Sequence, residues 1–459
     1  MKIPATPPDA GPIYSNFINR LISAPESERA DLANLLGRLG PTDETGRYLH
    51  WDKFRFRPTP EGLDAPTAWA LTRYARMRLE KRLPLFDLYG RPFTFTPTDQ
   101  IQKALHEIDS EAHGGIRFTS EAPQENDAKS FLVKSLIEEP FNSSLLEGAA
   151  TTREEAKRLI REQRRPVSEG ERMVMNNYHA IEFIKARRDD PLTPELIHEL
   201  HRIITDKTLE NPQKSGRFRE HADDIKVVDE IVGTILHHPP PAAELPDRFE
   251  RLCKFANAND TVEPFIHPII RAIILHFMLA YDHPYIDGNG RTARALFYWS
   301  VLKDGYWLLE YVSISRIINK APISYGKAFL ETETDHSDIT YFIVHQLEVI
   351  TSAIDDLSDY VRRRQQSVLS LTQEIESSAH RDQLNHRQID MLNDAIRNPN
   401  VRYTIREHER LHRISYLTAR TDLEKLTDLG FLVKSKHGAQ SIYKPAPRLR
   451  QKIPSVQKT

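Results

Sequence analysis

Apolar residues recur at helical spacing along most of this 459-residue chain, and the breaks in that pattern locate the elements. Near the N-terminus the spacing predicts helices over 65–82 and 98–108, with Gly114-Gly115 as a break. A helix or its approach covers 126–137, interrupted by Pro140, and a short helical piece follows over 143–150. Amphipathic helices are predicted over 152–163, 170–188 and 193–205; the last opens with Thr193-Pro194-Glu195, an N-cap, a proline at the first helical position and an acid in the first turn. Residues 225–238 break the period. They are β-branched around Gly233 and run into Pro239-Pro240-Pro241, which predicts a short hairpin leaving into an extended segment. Helices resume over 245–256, 269–281 and 292–303, the last closed by Gly305.

Beyond a long polar helix over 348–375, the pattern shortens to helices at 385–397, 405–411 and 415–429, then Gly430. Strand 431–433, turn 436–438 and strand 442–443 complete the outline of a winged helix. Charge sets this end apart. Residues 401–459 hold 13 Lys/Arg against 5 Asp/Glu, a net +8, so with −2 overall the other 400 residues carry −10. Such a module suits a nucleic-acid or acidic partner, DNA or protein. Ser415, Tyr416, Thr418 and Arg420 fall at the start of the expected recognition helix, with Arg406, Arg410, Arg413, Lys434 and Lys436 around it.

At 39% hydrophobic and 28% charged residues, the composition is that of a globular protein of about three domains. A single cysteine, Cys253, excludes an internal disulfide and fits a reducing, cytoplasmic setting; it reads as a buried structural thiol. No secretory leader is visible, and 269–281, the most apolar stretch, is too short to span a bilayer, so no membrane partner is expected.

The chemistry-bearing stretch is His283-Pro-Tyr-Ile-Asp287-Gly288-Asn289-Gly290-Arg291-Thr-Ala-Arg294, a Gly-rich loop opening into a helix. Unpaired N–H groups and the positive end of the helix dipole suit phosphate there. Arg291 and Arg294, three apart, offer forked donors to two phosphates. Asp287 is a hard oxygen ligand able to hold Mg²⁺ against phosphate oxygens. The Asn289 amide can donate to an anion, and His283 has a pKa suited to taking a hydroxyl proton. Seven fixed positions at this spacing would match by chance about once in 10⁹ windows. No G-x-x-x-x-G-K-[ST] occurs, so the sequence does not support a P-loop ATPase.

These residues resemble the signature of the Fic family, H-P-F-x-[DE]-G-N-G-R-x-x-R, with Tyr285 in the place of the usual Phe. A tyrosine can serve as that core anchor if its hydroxyl finds a partner or reaches water. The resemblance implies a mainly α fold: a Fic-type helical core with a small β-hairpin flap, between a helical N-terminal domain and the C-terminal winged helix. Its expected bounds are 1–125 for an accessory helical domain, 126–350 for the core (Fido segment about 192–340), 351–380 for a helical connector and 381–459 for the winged-helix module. It implies a protein adenylyltransferase using ATP and Mg²⁺. His283 deprotonates a target Ser, Thr or Tyr, Asp287 holds the metal, Gly288, Asn289, Gly290 and Arg291 form the anion hole, and Arg294 binds the γ-phosphate. The 225–238 hairpin resembles the family flap, Gly216-Arg217-Phe218-Arg219 its G-x-x-R element, and Tyr325 an aromatic near the adenine.

Upstream, Ser143-Ser-Leu-Leu-Glu147-Gly148 resembles the family's inhibitory motif, [ST]-x-x-x-E-[GN], within an expected helix 141–150. Glu147 set on Arg294 would take the γ-phosphate position, and Ser143 would share its helical face. Two other readings stand beside self-inhibited AMP transfer: removal of AMP from a modified protein, and a DNA-binding regulator whose core senses nucleotide. A homo-oligomer that governs release of Glu147 is a further expectation, as is self-modification. His198-Glu-Leu-His201 has i, i+3 spacing, against a zinc site.

Overall fold

The computed structural model describes residues 1–60, 62–112, 136–229, 232–258, 264–376, 383–397, 399, 401–437 and 440–449. The chain divides into two compact units. One comprises Met1–Gly115, Glu139–Thr151 and Val167–Ala353; the other includes Thr152–Pro166 and the described residues from Ile354 onward. Among the described residues the fold is mainly helical, with three two-stranded antiparallel sheets.

Two consecutive helices, Pro268–Asp282 and Asn289–Lys303, form the centre of the first unit. The first is apolar nearly all round, as a helix enclosed on every side must be. Ile273, Ile274, Leu275 and Phe277 are wholly buried. With no room to relax, Phe277→Ala would cost about 3–5 kcal/mol. Pro268 follows the cap residue His267, whose ring accepts from the Ile269 N–H at 3.3 Å. Helices Glu169–Ala186 and Pro194–Ile204 flank this pair, each opened by a side-chain cap from Ser168 or Thr193. The Thr193-Pro194 start falls where its residues predict.

Residues 1–112 pack into this same unit. The expected 65–82 helix ends at Met77, and Lys81–Phe86 then pairs with Pro92–Phe95 as a hairpin. Asp87 and Gly90 make its turn, a signal the helical reading passed over. Buried polar bonds stitch the segment to the core: Tyr48 donates to Asp338 at 2.6 Å and Arg76 to the Tyr341 hydroxyl at 2.8 Å.

The piece read as helix 143–150 runs Glu138–Leu146. Pro140 is its third residue, where no intrahelical N–H bond is lost, so it sits inside the helix instead of interrupting it. Gly148, at φ 83°, closes it. The expected 126–137 helix and the Gly114-Gly115 break lie almost wholly outside the described residues. The hairpin of residues 225–238 is shorter than its pattern, pairing Val227–Val228 with Ile235–His237.

The second unit contains helices Arg153–Glu162, His386–Arg397, Ile405–His412 and Tyr416–Asp428, and the hairpin Leu432–His437 with Gln440–Pro445. Tyr403 adds an antiparallel bridge to Tyr443. Leu392, Leu423, Leu426, Phe431 and Tyr443 form its core. Buried Asp422 is a hub, accepting from Arg387 and Asn385 at 2.7 Å and facing His408 Nε2 at 3.1 Å. Burial opposes its charge, but these three donors together hold its pKa far below the usual carboxylate range. Among the described residues no helix is long and apolar enough to cross a membrane.

Candidate functional site

The site forms where helix Pro268–Asp282 stops and helix Asn289–Lys303 starts. His283 caps the first helix in the left-handed region, φ 43°. Its Nδ1 lies 3.3 Å from the Ala280 carbonyl, which can only accept. That bond puts the ring proton on Nδ1 and leaves the Nε2 lone pair open. Burial pushes the His283 pKa down to about 4, with His237 and Arg219 adding to the depression. The dense surroundings of the partly exposed ring account for the depression.

Gly288 takes φ 80° at the cap of the second helix, and an added Cβ would strike Thr205. Only glycine meets both demands. The first-turn N–H groups of Asn289, Gly290 and Arg291 precede the helical ladder, which starts with the Thr292 N–H donating to the Gly288 carbonyl. The Asn289 side chain is not part of that face. Its Oδ1 accepts from the Tyr285 N–H at 2.9 Å and its amide donates to the Tyr285 carbonyl at 2.8 Å. Both polar atoms brace the loop, one amide N–H being committed to Tyr285; donation of the other to an anion stays a proposal.

Asp287 is about half exposed; one oxygen accepts from the Gly288 N–H and the other lies 3.0 Å from Arg291 Nη2. Arg291 is almost wholly buried, and among the described residues its Nε and Nη1 have no hydrogen-bond partner. Orphaned guanidinium donors at a helix N-terminus are what an anion would satisfy. Tyr285 is fully buried, its hydroxyl 3.0 Å from His198 Nδ1, so the replacement of Phe has its partner.

Arg294 is buried and tied to the helix Glu138–Leu146. Nε donates to Ser143 Oγ at 2.9 Å, Nη2 to the Ser143 carbonyl at 3.0 Å, and Nη2 to Glu147 Oε1 at 2.7 Å. Burial is the largest influence and works against the Arg294 charge, but Glu147, Tyr325 and Glu139 together outweigh it and its pKa is raised. The Glu147 carboxylate also lies so close over Gly290 that a Cβ there would collide with it. Polar contacts that sequence reasoning missed anchor this helix. Buried Glu139 accepts from the hydroxyls of Ser313 at 2.8 Å and Ser315 at 2.6 Å, and Asn177 donates to Ser144 Oγ at 2.8 Å.

Tyr325 turns its hydroxyl to His276 Nε2 at 2.8 Å, and its ring lies against Phe329 and Phe342. Arg219, of the Gly216–Arg219 element, donates from Nε to the His283 carbonyl and from its backbone N–H to the Pro284 carbonyl, both at 2.8 Å. The flap residue His237 lies 2.7 Å from the Tyr281 carbonyl and 2.8 Å from Glu333. Cys253 is buried, its thiol pushed up to about 12, as suits an inert structural residue. No cluster of metal-ligating side chains occurs among the described residues, so a cation here would depend on Asp287 plus oxygens from a ligand. That donor set fits Mg²⁺, which keeps waters and shares substrate phosphates.

The Fic/DOC family model matches residues 191–301. A protein adenylyltransferase Fic of Nematostella vectensis is 26% identical over 241 residues, 48% of this chain and 53% of the relative. A protein adenylyltransferase Fic of Drosophila yakuba is 31% identical over 115 residues, 25% of this chain and 21% of the relative. This chain thus spans about half or less of the length of these curated relatives. Among solved structures, a Fic family protein from Desulfovibrio desulfuricans G20 aligns with TM-score 0.46 and 18% identity, covering 77% of this chain and 98% of that one. From helix Pro194–Ile204 through the motif helix, this chain carries a Fic/DOC family domain.

Proposed function

We propose that this chain is a protein adenylyltransferase that moves AMP from Mg²⁺-ATP to a protein hydroxyl and is held back by its own Glu147. The carrying observation is the three-way hold of Ser143 and Glu147 on Arg294, directly over the backbone of Gly290. A carboxylate in that place stands in for a phosphate: it satisfies a buried guanidinium and lies close over Gly290 in the first turn of the motif helix.

The target hydroxyl gives its proton to His283 Nε2 as its oxygen attacks the α-phosphorus of ATP. The bond from that phosphorus to the bridging oxygen breaks, and pyrophosphate leaves. His283 supports this role through its Nδ1–Ala280 bond, which selects the tautomer with Nε2 open. Asp287 would hold Mg²⁺, which when bound neutralises charge on the leaving phosphates. The N–H groups of Asn289, Gly290 and Arg291 and the spare Arg291 donors would receive the remaining phosphate oxygens. Arg294 would take the γ-phosphate once Glu147 withdraws; until then ATP sits misaligned for in-line attack. Tyr325 would border the nucleotide pocket beside Arg294. The relatives named protein adenylyltransferase Fic support the reaction class. Transfer of labelled α-phosphate from ATP to protein tests it.

For the second unit the reading is contact with duplex DNA. A cleft of about 730 Å³ is lined by Arg161, Arg164, Arg406, Arg410 and Tyr416, with Glu162 and Glu407 among its walls. Helix Arg153–Glu162 contributes Arg161, and the residues after it contribute Arg164, so the basic surface exceeds the C-terminal module read from sequence. Forked guanidinium groups beside an exposed helix start suit backbone phosphates.

A further inference from the structure

Helix Pro194–Ile204 carries two histidines one turn apart, and the chemistry proposed above uses neither. His198 has its partner in the Tyr285 hydroxyl. His201 does more. It is wholly buried, with Nδ1 2.8 Å from the Gly216 N–H and Nε2 2.9 Å from the Asp287 carbonyl. A backbone N–H can only donate and a carbonyl can only accept. Nδ1 must therefore keep its lone pair, and Nε2 must carry the proton. The ring stacks on Tyr285, centroids 3.6 Å apart and planes within 10°. A Cβ on Gly288 would come within 3.2 Å of His201 Nε2, so the imidazole lies flush against the loop backbone.

The two ends of this ring reach two different parts of the site. Gly216 begins the segment whose Arg219 holds the backbone of His283 and Pro284. Asp287 and Gly288 lead into the helix whose N-terminus faces the anion. We propose that His201 is a positioning residue: a neutral imidazole of one tautomer that sets the spacing between His283 and the Asp287–Arg291 cradle. This rests on the reading that the cradle receives nucleotide phosphates. Few side chains could replace it, because the task needs an acceptor and a donor on opposite edges of one rigid plane. Protonation would place a second donor against the Gly216 N–H and break the strut. Burial disfavours that charge and pushes the pKa down to about 4; the Asp287 carbonyl opposes the shift and Arg291 reinforces it. The charged or titratable groups acting on it are Arg291, Asp287 and His198, with Tyr285 stacked on its face.

The test uses the full chain with Glu147→Gly as parent, adding His201→Gln, which can keep only one of the two bonds, or His201→Leu, which keeps neither. Misplacing the base relative to the cradle predicts a label-transfer rate about 100-fold lower, while the Kd for Mg²⁺-ATP changes by less than about fivefold. Gln should retain more activity than Leu. Equal falls in rate and affinity, or no fall in rate, would overturn the proposal. Nitrogen-edited NMR of the parent covers the case in which the variants do not fold. At pH 8 a proton on Nε2 with Nδ1 bare is expected; a proton on Nδ1 would overturn it. If the parent binds no Mg²⁺-ATP, the nucleotide reading fails by itself, and the tautomer still decides whether the strut exists.

Discussion

Glu147 Oε1 lies 2.7 Å from Arg294 Nη2, and the same carboxylate covers the backbone of Gly290. Arg294 is almost wholly buried, so its charge demands an anion at all times. Glu147 and a phosphate would compete for one place.

The brake should loosen by degrees. Ser143 gives Arg294 Nε its acceptor, whereas the second Ser143 contact is through the backbone carbonyl and survives substitution. Ser143→Ala should weaken the hold by about 1 kcal/mol, tightening Mg²⁺-ATP binding by roughly fivefold. Titration calorimetry reads this directly, and an affinity equal to that of the intact chain would show that Ser143 has no part in the hold.

Acid should destabilise the first unit. Burial lowers the pKa of His50 and His276 to about 3 and of His201, His283 and His345 to about 4. Between about pH 6.5 and those values the unfolded chain binds more protons, so stability falls as pH falls. Each histidine contributes up to about 1.4 kcal/mol per pH unit in that window. Urea melts at pH 7 and pH 5.5 should show a clear drop in midpoint. As a base, His283 should stay competent down to about pH 5 and lose activity as pH falls through about 4.

Asp422 should hold the second unit together. It is the shared acceptor for Arg387, Asn385 and His408. Asp422→Ala strands these donors, and a loss of about 3–5 kcal/mol is expected. Because its folded pKa is depressed, its contribution is present above about pH 4 and lost as pH falls further. Hydrogen exchange over 386–449 would localise the effect.

The arginine cleft should bind duplex DNA in a salt-dependent way. Each phosphate contact removed should lower the slope of log K against log salt by about 0.9. Fluorescence anisotropy with Arg406→Glu, compared with the intact chain, measures this. No binding at low salt, or an unchanged slope, would count against the cleft as the contact surface.

Much of the site was legible because its chemistry is local. His283 to Arg294 sit within twelve consecutive positions, and glycine pairs before a helix have a direct physical meaning. The Glu147 motif was legible only in company with them. What stayed hidden depends on contacts across the fold. Asn289 looks like a donor on paper, and only the folded loop shows its amide closed on Tyr285 four residues back. His201 was weighed only as a metal ligand. Its place on the buried face of an amphipathic helix was the available signal, but Gly216 and Asp287 are distant in sequence. The Lys81–Phe95 hairpin had visible turn residues, masked by the helical period before it. Helix Arg153–Glu162 joins the second unit through packing that no local pattern encodes.

The most direct measurement is transfer of labelled α-phosphate from ATP to protein by the intact chain, by Glu147→Gly, and by Glu147→Gly with His283→Ala. Strong labelling by Glu147→Gly, little by the intact chain and none once His283 is removed is the predicted result. Equal labelling with and without Glu147, or labelling that survives loss of His283, would contradict it.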